Sequence, residues 1–152
     1  MSEVDNDSTT ANMSYWLYQE FTAYPEYSYT ITYQVAGKFA PSTAGSTKQT
    51  VEVQASNAGT VYGKKTFTSQ WAFGAAAPPA AGTILPDGST QLPMWAAPQT
   101  VTPRTETITL GPGLSGPVRF QFYFLLAPRL GSAYPRYVSH DIWANATVVC
   151  NS

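Results

Sequence analysis

Few residues in this chain are equipped for catalysis, and their spacing decides what they can do. The single histidine, His140, stands directly before Asp141. Adjacent His and Asp invite a catalytic pair, but consecutive strand residues point to opposite faces, so these two side chains do not easily meet. One His and one Cys, Cys150, do not make a zinc site of the usual nitrogen and sulfur ligands within one chain. A glycosidase needs two carboxyls facing each other at roughly 5–9.5 Å. Outside the N-terminal segment the acids are Glu20, Glu26, Glu52, Asp87, Glu106 and Asp141. Glu20 and Glu26 flank the turn at Ala23-Tyr24-Pro25, and they read as solvated carboxylates at strand ends.

Gly111-Pro112-Gly113-Leu114-Ser115-Gly116 has the letters of a dinucleotide fingerprint. That motif works where a strand feeds a helix whose first amides hold a pyrophosphate. Here Pro112 and Pro117 remove amides and a strand pattern follows, so the stretch reads as a tight turn. No G-x-S-x-G, H-E-x-x-H or Walker sequence occurs. The expectation is a protein that is not an enzyme, with no cofactor and no metal.

What the chain does carry is contact chemistry. Charged residues are 11% of it and aromatic residues 14%, against about 25% charge in an ordinary globular chain. In residues 129–137, Arg129, Tyr134, Arg136 and Tyr137 fall together in a Gly/Pro-containing loop, and Trp95 lies in a second, longer one. Arg, Tyr and Trp are enriched at interface hot spots, and the same mixture suits stacking on a sugar ring. These five residues are the candidates for binding a partner or a glycan.

A second set lies at the N-terminus, where Glu3, Asp5 and Asp7 make residues 1–12 acidic and polar, and Tyr15, Trp16, Leu17 and Tyr18 follow. All four arginines lie in residues 104–136 against one acid, Glu106, a local surplus equal in size and opposite in sign to the three acids of the arm. A low-hydrophobicity arm is more easily ordered by a neighbouring subunit than by its own core. The expectation is an assembly arm that lies on the Arg-bearing surface of another subunit, with Tyr15, Trp16 and Tyr18 supplying apolar contact.

These residues need a scaffold, and its signal is a period of two. Tyr27, Tyr29, Ile31, Tyr33 and Val35 alternate with polar residues without a fault. Val118, Phe120, Phe122, Phe124 and Leu126 fill one face of a second strand, whose uncharged apolar stretch from Phe120 onward must be buried to avoid aggregation. Ile142, Ala144, Ala146, Val148 and Cys150 line one face of a third, where Cys150 reads as a small buried hydrophobe. Weaker patterns appear at residues 15–21, 49–55, 63–71 and 105–110, with a short one near 98–102.

No stretch has the helical period. Seven or eight strands and turns rich in the 11 Gly and 12 Pro predict an antiparallel β-sandwich of jelly-roll or immunoglobulin-like type, a closed barrel being the competitor. Residues 1–14 read as the arm and 15–152 as one domain of ordinary size. Residues 74–98, with Ala75 to Ala81 wholly Ala and Pro, read as a long loop, either a contact surface or a cover packing Leu85, Leu92 and Trp95 over one end.

A net charge of −1 removes the electrostatic footprint of a nucleic-acid binder. No apolar run approaches the length of a membrane-spanning helix, and the first residues have no basic or apolar signal-peptide region. The expected function is a structural protein of a self-assembling particle, a viral or phage capsid, decoration or fibre component, located in a virion or outside the cell. Its partners would be copies of itself or other particle proteins. The alternatives are a carbohydrate-binding module or lectin, with Trp95, Tyr134 and Tyr137 on one groove, and a membrane-active cytolysin using Tyr15 to Tyr18 at a lipid interface.

Overall fold

A computed structural model describes residues 2–4, 13–39, 49–70, 76–96, 102–126 and 140–152. Ten strands run in chain order: β1 (Ser2–Val4), β2 (Met13–Ala23), β3 (Ser28–Phe39), β4 (Gln49–Asn57), β5 (Thr60–Ser69), β6 (Thr90–Gln91), β7 (Met94–Ala96), β8 (Arg104–Leu110), β9 (Gly116–Leu126) and β10 (His140–Asn151). They form two five-stranded sheets. In the first, β1, β10 and β3 lie side by side, and the far edge of β3 is shared by β8 and β7. The second has the order β2-β9-β4-β5-β6. No described residue is helical.

The period-two pattern explains why the sheets meet face to face. Tyr29, Ile31, Tyr33 and Val35 of β3 are buried and form one cluster with Val51, Val53 and Ala55 of β4 and Val118, Phe120, Phe122 and Phe124 of β9. Tyr33 sits at the centre, with ring centroids 6.2 Å from Phe67, 5.8 Å from Phe120 and 6.1 Å from Phe122. The arrangement is that of a β-sandwich.

The strands expected at residues 15–21, 27–35, 49–55, 105–110 and 118–126 are present and run slightly longer. The one expected at 63–71 starts earlier, at Thr60, and ends at Ser69. Within it Val53 faces Lys65 while Ala55 faces Tyr62, so Gly63 and Lys64 together oppose Gln54. Gly63 has φ +59°, the left-handed conformation that a bulge of this kind asks of its first residue.

Two expectations are corrected, and a third lies almost wholly outside the described residues. Residues 74–98 are not strandless: β6 joins β5 and β7 joins β3, both in parallel, so this segment crosses from one sheet to the other with Leu92 buried between them. Only Thr102 of the strand expected at 98–102 is described, and it is not in a strand. Cys150 is exposed rather than buried. It stands opposite buried Tyr29, on the inward face of β10. Ala146 and Val148, on the same face, are exposed as well.

Within residues 1–14 the structure describes two strand segments. Ser2–Val4 pair with residues 142–144 of β10 in the same chain, Glu3 opposite Trp143, and β2 already begins at Met13.

Candidate interaction surface

The sides of the sandwich are unlike, and the contrast follows from which residues occupy the edge strands. On one side β5 and β8 close the gap with inward-pointing charge. Lys65 stands opposite buried Val53, and Glu106 opposite buried Tyr33, so both face inward. Lys65 Nζ donates to Glu106 Oε1 at 2.9 Å, and Arg104 Nε donates to the same oxygen at 2.5 Å. Burial pushes the Glu106 carboxyl up, but the bonds from Lys65 and Arg104 outweigh it and hold the group below its ordinary value. The short β6 covers part of the β5 edge.

Beside this cluster lies an open depression of about 400 Å³ lined by Lys64, Lys65, Ile84, Asp87 and Ser89 among others. The Ser89 hydroxyl is 2.6 Å from Thr68 Oγ1 and donates to Asp87 Oδ1 at 2.6 Å, while the Ser89 amide donates to the same carboxylate oxygen. This is the hydrogen bonding of a tight turn, with the hydroxyl buried. Among the described residues no group of three or more His, Cys, Asp or Glu side chains comes together.

The opposite side is formed by β2 and β10. Phe122, Phe120 and Val118 point into the core, so the residues registered against them, Leu17, Gln19 and Phe21, share that face. Gln19, Phe21, Phe120, Ala146 and Val148 line a cleft of about 180 Å³ between the two sheets. Leu17 is 40% exposed. β1 covers β10 only at residues 142–144, and among the described residues nothing pairs with the outer edge of β2.

The outer face of β2 continues this surface. Trp16 is 60% exposed and Tyr18 54%. Trp16 faces Tyr123 across the strand pair, and the two rings stack with centroids 4.6 Å apart. Glu20 faces Arg119, whose Nη2 and Nε donate to Glu20 Oε1 at 2.9 and 3.0 Å while its guanidinium lies 4.3 Å from the Tyr18 ring centroid. Tyr123 in turn faces Glu52, which pairs with Lys64 at 3.2 Å. The result is a sheet face of rings and paired charges, suited to contact with a planar or apolar partner.

Of the residues singled out for chemistry, the structure brings Trp16 and Tyr18 onto one exposed face. Tyr15 points the other way, half-buried against the core. Glu3 and Trp95 are described only as backbone positions, opposite Trp143 and Lys38. Asp5, Asp7, Arg129, Tyr134, Arg136 and Tyr137 lie outside the described residues. The expected Arg-bearing surface is partly spent within the chain, since Arg104 and Arg119 are held by Glu106 and Glu20. Glu20 is therefore an arginine partner rather than half of a carboxyl pair with Glu26. Sequence reasoning named Leu17 with Trp16 and Tyr18 but missed Arg119 and Tyr123 as their neighbours. Only the register between β2 and β9, about a hundred residues apart, joins them.

Comparison with protein families, curated proteins and solved structures finds no match to this chain.

Proposed function

We propose that this is a non-enzymatic structural protein that self-associates through the β2 side of its sandwich, as a capsid, decoration or fibre component of a viral or phage particle. The observation that carries the reading is the 11-residue edge strand β2, free along one side among the described residues and bearing exposed Trp16, Leu17 and Tyr18. An edge of this kind is a template for pairing with another chain, and soluble monomers ordinarily blunt it. The particle setting rests on composition, low charge with abundant Ala, Thr, Gly, Pro and Tyr. The jelly-roll or immunoglobulin-like type belongs to this reading: the β3–β8 and β4–β9 neighbours match strands B–E and C–F of the immunoglobulin fold, whereas β10 lies beside β3 and β2 beside β9, unlike its strands G and A.

The test is the solution mass by light scattering. The full chain is expected at a multiple of its 16.4 kDa; a monomer at micromolar concentration, unchanged by ionic strength, overturns the reading. Removing Met1 to Asn12 asks separately whether the arm contributes.

The exposed rings of Trp16 and Tyr18, bordered by Gln121 and the Arg119–Glu20 pair, favour a second reading, a carbohydrate-binding surface. A glycan array with Trp16→Ala as control separates the two, because the structural reading requires no glycan.

A further inference from the structure

The two open edges of a sandwich are commonly defended by charge, proline or a covering segment. Here the β5 and β8 side has inward-pointing Lys65, Arg104 and Glu106 and the cover of β6, whereas β2 has no Pro, no Lys and no Arg between Met13 and Ala23. Its one charge, Glu20, is neutralised by Arg119 of the same chain. What β2 presents instead is self-complementary.

We propose that two copies of the chain join edge to edge through β2, antiparallel, in the register that sets Leu17 against the partner's Leu17, making one continuous sheet across a two-fold axis. The proposal rests on the self-association reading above and names its surface. A two-fold interface places each residue against its mirror position, so the sequence around the axis must suit itself. Centred on Leu17, Trp16 meets the partner's Tyr18 on the outer face and Tyr18 meets the partner's Trp16. Ser14 meets the partner's Glu20 on that face too; on the inner face Leu17 meets its own copy, Tyr15 meets the partner's Gln19 and Met13 stands opposite the partner's Phe21. Aromatic and aliphatic pairs directly opposite each other are the stabilising unit of a sheet.

The neighbouring register, centred on Tyr18, overlaps all 11 residues but sets Trp16 against the partner's Glu20 and Leu17 against the partner's Gln19. It pairs Tyr15 with Phe21, which already pack against the core of their own chain, and leaves the exposed Trp16 and Leu17 against polar groups. The Leu17 register covers the three side chains that the single chain leaves open.

Directly opposite residues in an antiparallel pair have Cα atoms about 4.5–5.5 Å apart, inside the range a disulfide spans. The experiment introduces Leu17→Cys or Tyr18→Cys, each with Cys150→Ser, and follows oxidation of the full chain by non-reducing electrophoresis beside light scattering. Circular dichroism confirms that each variant is folded. A dimer that locks through position 17 far faster than through position 18, and a Trp16→Lys chain that runs as a monomer, are the expected results. Faster locking at position 18 overturns the register. An oligomer that locks at neither position, or that survives Trp16→Lys, overturns the β2 interface while leaving self-association standing. A monomeric parent chain overturns both.

Discussion

Lys65 and Glu106 meet at 2.9 Å across the gap between the two sheets, one on an edge strand of each. A pair placed this way joins the sheets where the apolar core runs out, and Arg104 on the same carboxylate makes it a three-membered cluster. Lys65 also lies 5.7 Å from the ring centroid of Phe67, so its ammonium bridges the core and the ion pair.

That cluster makes stability depend on pH in a stated direction. The folded Glu106 carboxyl sits below the unfolded value of 4.5, so its contribution is present above that pH and is lost as pH falls through the folded value. Glu106→Gln is expected to lower stability at pH 7 by roughly 1 kcal/mol, the scale of partly exposed ion pairs. Urea melts from pH 7 down to 3 check it: the variant's stability changes less over the acid range than that of the parent chain.

Tyr33 carries the opposite dependence. Burial, then the nearby Glu106 carboxylate, pushes its phenol well above the ordinary value, with Arg104 pulling the other way. A raised folded pKa means stability that is full below the unfolded value of about 10 and declines as pH rises beyond it. Tyr33→Phe removes that titration. Denaturant melts at pH 9 and pH 11 are expected to show a smaller loss for the variant than for the parent chain.

Phe122 is buried in the aromatic cluster, 5.1 Å from Phe120 and 6.1 Å from Phe124 by ring centroids. Phe122→Ala leaves a cavity in the middle of β9 and is expected to cost about 3–5 kcal/mol. A loss under 1 kcal/mol in a urea melt contradicts the register of this strand.

Gly63 combines a positive φ with a close neighbour. A Cβ there falls 2.6 to 3.0 Å from the Ile108 side chain of the opposite sheet. Gly63→Ala strains the bulge and pushes on β8, for an expected loss of about 1–3 kcal/mol. Gly59 is the control: it has φ +84° but nothing within 4 Å of its Cβ position, so Gly59→Ala tests backbone strain alone by the same melt.

The long strands were legible in the sequence because each has one face committed to the core. In β3 and β9 the alternation is nearly unbroken, and burial follows it. β10 was legible as a strand yet misread in depth, because alternation records which side a residue points to and not how closely the opposite sheet packs there; Cys150, on the inward face, is exposed. β6 and β7 are only two and three residues long, too short for any period to register. Trp16 and Tyr18 stood out by type, but their neighbours Tyr123 and Arg119 belong to β9, and no local pattern places them beside β2.

The pairing of β3 with β10 has a consequence for how the chain is made. Asn151 hydrogen-bonds Thr30 from 121 positions away, and all of β3 waits for residues 140–151 to gain its long neighbour. At a synthesis rate of about 5–20 residues per second, β3 leaves the ribosome several seconds before β10 exists. β2 waits likewise for β9. The nascent chain thus carries two long strands with vacant edges until residues 116–126 and 140–151 have been made, and the first sheet gains its long central pairing only with β10. A chain stopped at residue 139 has β7 and β8 on one side of β3 and lacks the strand that pairs with its other side, leaving a long edge open to pairing with the wrong strand.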